Sequence, residues 1–189
     1  HLTQRPRAVK EGTGRALTMQ DDFGEHVKTV YAHFGLAIYC GQVLEHGLAN
    51  ATFVIDVVPK ASSFSNEDNW SESVDAFFEG KFRQTLGRMI DGFKKVTAVP
   101  DPLEKLLSEA LEKRNWLAHH YFRERTYQFM SATGRDEMIA ELEQIQELFQ
   151  RADAALEKVA EPVRERYGYT KEILHSIRKD MLNEARNDL

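Results

Sequence analysis

One run of apolar residues near the C-terminal end constrains this chain more than any other feature. Met138, Leu142, Ile145, Phe149, Ala152, Leu156, Val159 and Val163 follow one another in steps of 4-3-4-3-4-3-4. Such steps keep side chains on one face of an α-helix, which turns once every 3.6 residues. A strand, with its period of two, would send them to both faces. A seam of about 25 residues belongs to a long helix in a bundle or at a dimer interface. No stretch alternates apolar and polar residues as a half-buried strand does. The expectation is an all-α fold, an antiparallel bundle of four to five helices.

The other helices follow from caps and spacing. From Asp22, with Asp21 and Asp22 as caps, a stripe runs through Phe23, Val27, Val30, Phe34, Ile38, Gly41 and Leu48, and Glu45 falls on it. The Ser- and Asn-rich piece from Pro59 to Asn69 reads as a loop, with Asn69 capping a second helix that runs from Val74 through Phe82 and Leu86 to Val96. Asp101, Pro102 and Glu104 open a third helix. Thr133 starts the helix of the seam, which Pro162 and Gly168 end or kink. A short helix from Lys171 to about Glu184 closes the chain. Residues 1–20 lack periodicity and read as a flexible arm, with Met19 a candidate start, ahead of a single domain over 21–189.

Composition narrows the class. A chain of 189 residues is one domain by length, and its net charge of −5 argues against a general nucleic-acid coat protein while leaving room for a local basic site. The one cysteine, Cys40, excludes an intramolecular disulfide and a multi-cysteine zinc site, suits a reducing cytoplasm, and reads as a small buried hydrophobe. No run approaches the 18 apolar residues of a membrane span.

Glu112-Lys-Arg-Asn-Trp-Leu-Ala-His-His-Tyr-Phe122 stands apart from these framework patterns. Leu103, Leu107, Ala110, Arg114, Leu117 and Tyr121 form the apolar stripe of their helix, which puts an arginine on its core-facing side. Arginine is rarely buried without a partner, so Arg114 reads either as half of an ion pair inside the bundle or as part of a phosphate-handling site; Glu45 is either a core partner for an arginine or a residue at the edge of its own stripe. Asn115 and His119, four apart, share one face; Arg114 and Tyr121, seven apart, share another. One copy therefore presents these groups around a ridge, and two copies about a two-fold axis would form a cleft holding both sets. Such a cleft suits RNA cleavage without a metal. A histidine takes the proton of a ribose 2′-hydroxyl, and an arginine's planar fork holds the phosphate oxygens. Lys113, Arg123 and Arg125 make the neighbourhood basic and are candidate RNA contacts. Arginine and histidine at this spacing recur by chance in a chain with seven histidines; the adjoining Asn115 and Tyr121 make the combination rare.

Arg114-Asn-x-x-x-His119-x-Tyr121 resembles the motif of the HEPN domain family, many of whose members are ribonucleases. The family pattern is an arginine, a polar residue, a short spacer and a histidine, matched by Arg114, Asn115 and His119. The His-x-Tyr ending is similar to HEPN toxins paired with a nucleotidyltransferase antitoxin, which transfers AMP to the tyrosine; Tyr121 matches that position. The resemblance implies a homodimeric, metal-independent endoribonuclease with no cofactor, a composite site and RNA as substrate, in the role of a toxin or defence effector. His120 also falls within the allowed spacing but lacks the Asn115 face, so His119 is the expected base. This chain is longer than the compact toxins. A rival expectation is a non-catalytic interaction module using the seam after Met138 as its partner surface. The single Glu172-x-x-His175 pair is too little for a di-metal site.

Overall fold

The α7 helix (Ala132–Arg166) carries the heptad seam, and its six residues from Met138 to Leu156 are all buried. In the computed structural model they pack against α1 (Thr13–Thr52), chiefly Val30, Ala37, Cys40, Leu44 and Leu48, in the most extensive contact between any two elements. The seam is thus internal to the chain. The backbone of residues 13–170, 172–176, 179 and 183 is described, with no strand among them. Between the two long helices lie α2 (Glu67–Phe82), α3 (Leu86–Val96), α4 (Asp101–His119) and two single turns, α5 (Tyr121–Glu124) and α6 (Thr126–Phe129).

Contacts give the helix directions. His26 meets Asp136 at 3.0 Å, and Gln146 donates to the His33 carbonyl at 3.0 Å. Farther along, Gly41 faces Phe149, so α1 and α7 run in parallel. Phe34 meets Tyr121 and Glu45 meets Arg114, so α4 runs opposite to α1. A Cβ at Gly41 would meet the Phe149 ring at 3.4 Å, ordinary contact, whereas one at Gly134 would run into the Gln128 backbone, so glycine is required at the start of α7. Each buried Leu or Phe between α1 and α7 contributes about 1.5–3 kcal/mol.

Several boundaries differ from the sequence reading. The buried face of α1 centres on Val30, Ala37, Leu44 and Ala51, seven apart; Phe34 and Ile38 sit at its edge, and Phe23 is 51% exposed. The helix begins at Thr13, inside the expected arm and without a break at Asp21 or Asp22; residues 1–12 lie outside the described residues. It ends in a π-helical turn, Phe53–Val57, and a 3₁₀ turn, Val58–Ser63, where a loop was expected. Asn66 rather than Asn69 caps α2, its side chain accepting from the Asn69 N–H. The expected second helix is broken at Thr85, which caps α3 by accepting from the Arg88 N–H. Steps of four from Val74 to Leu86 wind the stripe about 120° around a straight helix, and the break lets α3 turn Leu86, Met89, Ile90 and Phe93 inward.

Ser131, not Thr133, caps α7, accepting from the Gly134 N–H. Pro162 lies within α7 and does not end it; the helix closes beyond Arg166 at Gly168, whose φ of 84° suits glycine. Of the expected final helix, 172–176 is helical and most of the rest lies outside the described residues. Among the described residues no helix is long and apolar enough to cross a membrane.

Candidate functional site

The apolar stripe of α4 is buried at Leu103, Leu107, Ala110, Leu117 and Tyr121, and interrupted only by Arg114. Arg114 reaches α1, where its Nε donates to Glu45 Oε1 at 3.1 Å. Its side chain is 35% exposed, so this is a half-solvated ion pair at the edge of the core. The two residues line a cavity of about 160 Å³ with Ile38, Gly41, Gln42, Leu117 and Ala118. Glu45 takes the Nε hydrogen, and Nη1 donates a long bond of 3.5 Å to Asn115 Oδ1, which leaves Nη2 without a hydrogen bond among the described residues.

At the end of α4 the two histidines diverge. His119 is the last residue of the helix and exposed; its one contact among the described residues is the His120 ring at 6.2 Å. His120, at φ −132° and ψ −24°, breaks the helix, although its N–H still bonds the Trp116 carbonyl at 2.8 Å. Its Nδ1 lies 2.8 Å from Arg123 Nη2. Arginine only donates, so Nδ1 accepts and the ring proton sits on Nε2. His120 and Asn115 share a second, larger depression of about 560 Å³ with Glu112, Lys113, Trp116, Glu124 and Arg125. The sequence reading coupled Asn115 to His119; here Asn115 opens onto the same cleft as His120, and His119 borders neither cavity.

Tyr121 is a core residue, 1% exposed, with Phe34, Trp116 and Phe122 around its ring and its hydroxyl donating to the Met138 carbonyl at 3.2 Å. Burial, and then the charge of Glu141, push its pKa above the ordinary 10, with Arg125 opposing. A transferase cannot reach this hydroxyl in the observed conformation. Arg114 and Tyr121 do not present a common edge either, because the helix breaks between them and only Tyr121 turns fully inward.

The three candidate RNA contacts fare differently. Arg125 forms a two-pronged pair with Glu141, at 2.8 and 2.6 Å, and lies over the Trp116 ring. That bond raises its pKa and occupies its fork. Lys113 rests over Trp116, 5.2 Å from the ring centre, and Arg123 is exposed beside His120. Only Lys113 and Arg123 retain charge free of a carboxylate.

Two features carried no sequence signal. Trp116 organises the corner, stacked with cations and donating its indole N–H to Glu124 at 2.8 Å. Arg135 is 4% exposed beneath the Phe23 ring, with Nη1 on the Phe129 carbonyl. A cation in the first turn of a helix opposes the helix dipole, so nothing in the sequence pattern marks it for burial.

Among the described residues no three His, Cys, Asp or Glu side chains converge as metal ligands. The arrangement offers a half-exposed arginine held from behind, an unencumbered histidine, a histidine fixed as an N–H donor, and a mixed-charge cleft. No family model, curated protein or solved structure matches the chain.

Proposed function

We propose that this chain is a metal-independent endoribonuclease of the HEPN type, acting as a homodimer in the role of a toxin or defence effector. The observation that carries this reading is Arg114. It interrupts an otherwise buried stripe, is held by Glu45 through Nε, and keeps its outer fork beside Asn115 at the helix end that bears His119. A structural ion pair alone explains the Glu45 contact but not the accompanying polar cluster.

In this mechanism the fork of Arg114 binds the two non-bridging oxygens of a phosphodiester and offsets the charge that builds on them. His119 takes the proton of the neighbouring 2′-hydroxyl, whose oxygen attacks phosphorus. The bond to the 5′-oxygen breaks as that oxygen takes a proton from solvent water, and the products are a 2′,3′-cyclic phosphate and a 5′-hydroxyl, the proton held by His119 returning to solvent. Asn115 orients the phosphate.

A second copy completes the site. Within one protomer His119 borders neither the Arg114 cavity nor the larger cleft, so Arg114 of one copy works with His119 of the other. The outer face of α1 supports this pairing. Leu36, Tyr39 and Val43, stepping 3-4, are 46%, 60% and 37% exposed, a stripe expensive to leave in water. Gln42, one position from that stripe, lines the Arg114 cavity, so a copy seated there lies next to the site.

The partner nucleotidyltransferase is part of the proposal on one condition: the α4–α5 corner must open to release Tyr121. The second reading, a non-catalytic interaction module, now rests on the same α1 stripe, because the seam is covered within the chain. An RNA cleavage assay with EDTA separates the two readings. The nuclease reading expects wild-type cleavage with 2′,3′-cyclic ends, lost in Arg114→Ala and His119→Ala. A folded dimer that cleaves no RNA supports the module instead.

A further inference from the structure

Resting on the ribonuclease reading, we infer that the cleft around Trp116 is a base-recognition subsite beside the scissile phosphate, and that the base it selects is guanine. At about 560 Å³ it falls within the roughly 300–1,000 Å³ of small-molecule sites. Glu112, Trp116 and His120 lie one helical turn apart along its floor, and Asn115 places one wall next to Arg114.

The chemistry of the walls favours a base over a phosphate. Two lysine or arginine charges face two glutamates, so the cleft has no net attraction for an anion. Arg125 is bound to Glu141, and Glu124 accepts from the Trp116 indole. What is left over is specific. Glu112 makes no hydrogen bond or ion pair among the described residues and is a free double acceptor. His120, held by Arg123 with its proton on Nε2, is a donor one turn beyond Trp116, and Lys113 is a second. Trp116 and the planar Arg125 guanidinium lying over it supply a flat platform of the kind on which unpaired RNA bases stack.

Guanine alone sets two N–H donors side by side on its Watson–Crick edge, matching a carboxylate, while its O6 and N7 accept on the other side. Stacked on this guanidinium–indole platform, it turns its donors to Glu112 and its acceptors to Lys113 and His120. Arg125 lies over the indole, 4.8 Å from its centre and held by Glu141, and Lys113 lies 5.2 Å from it, so the base stacks against the guanidinium plane and meets the lysine charge beside it. Adenine and cytosine bring an acceptor against Glu112, and uracil a single donor between two carbonyls.

Calorimetric titration of the wild-type chain with 5′-GMP and with UMP tests this without requiring cleavage. GMP is expected to bind at least about ten-fold tighter than UMP, and Glu112→Gln, a change at an exposed position, to erase the difference. Trp116→Phe, which keeps an aromatic surface, is expected to retain the preference with weaker binding of both nucleotides. Equal affinities, no binding, or a preference that survives Glu112→Gln would each overturn the subsite. The two readings fail separately. GMP-selective binding without RNA cleavage upholds the subsite and ends the nuclease reading, whereas cleavage without GMP selectivity ends the subsite alone.

Discussion

Where α7 meets α1, leucines, a phenylalanine and glycine-sized gaps interlock with little polar matter between them; where α4 meets α5, a helix breaks among charges, histidines and an indole. In the first region, position follows from volume. Gly41 faces the edge of the Phe149 ring, and the fully buried Leu44, Leu48, Phe149 and Leu156 fill the space around it. In the second region, position follows from directed bonds: Glu45 to Arg114, Arg123 to His120, Arg125 to Glu141. Those bonds leave donors and acceptors facing outward. The dry interface makes the bundle, and the wet corner leaves chemistry on its surface.

The contrast breaks first on activity. Arg114→Ala and His119→Ala are each expected to reduce RNA cleavage by about 10²–10⁴-fold, the range of a positioned acid, base or charge. Arg114→Ala should change stability by about 1 kcal/mol or less, since its pair with Glu45 is half-solvated. Chemical denaturation of the same samples checks this, and a large stability loss would return Arg114 to a structural role. Phe149→Ala is the converse. It removes a fully buried ring and should cost about 3–5 kcal/mol, read as a lower denaturation midpoint.

Smaller effects sharpen the border between the regions. Tyr121→Phe deletes the bond to the Met138 carbonyl and should cost about 1 kcal/mol by denaturant titration, while leaving the surrounding rings in place. No loss at all would mean that the hydroxyl faces solvent in solution. Asp153 gives the smallest effect. Burial, and then the charge of Glu157, raise its pKa in the fold. The ionised form is thus penalised above the folded pKa, and the penalty vanishes as pH falls below the unfolded value. Asp153→Asn should raise Tm by no more than about 2–4 °C near neutral pH, with the gain closing toward pH ~4. Melts at both pH values check it; a gain that persists in acid would contradict burial as the cause.

The long-range framework was legible where periodicity had one interpretation. The seam of α7 is buried from Met138 to Leu156 but only half-buried at Val159 and Val163, where Ala160 turns inward instead, and the stripe of α4 is buried on either side of Arg114. The stripe of α1 was legible only in part, since that helix faces α7, α3, α4 and solvent and carries apolar residues toward each of them. The break at Thr85 was missed because steps of four continue through it, and the nearest glycines, Gly80 and Gly87, lie inside the helices on either side rather than at the break. At the site, the need of Arg114 for a partner followed from an arginine on a core face; that the partner is Glu45, which equally could have lain at the edge of its stripe, did not. The divergence of His119 and His120 did not, because a one-residue change of helix geometry at His120 decides it. Tyr121 shows the same limit: its spacing puts it on the stripe of Arg114, but depth in the core is a tertiary property.

The central claim is that two copies share one catalytic site, and subunit complementation tests it most directly. Arg114→Ala and His119→Ala protomers, each inactive alone, are mixed to exchange subunits, and RNA cleavage is measured in EDTA. If Arg114 of one copy works with His119 of the other, the mixed dimer holds one intact site and one doubly disabled site, and partial activity returns. If the mixture stays as inactive as its components while forming mixed dimers, the shared site is wrong.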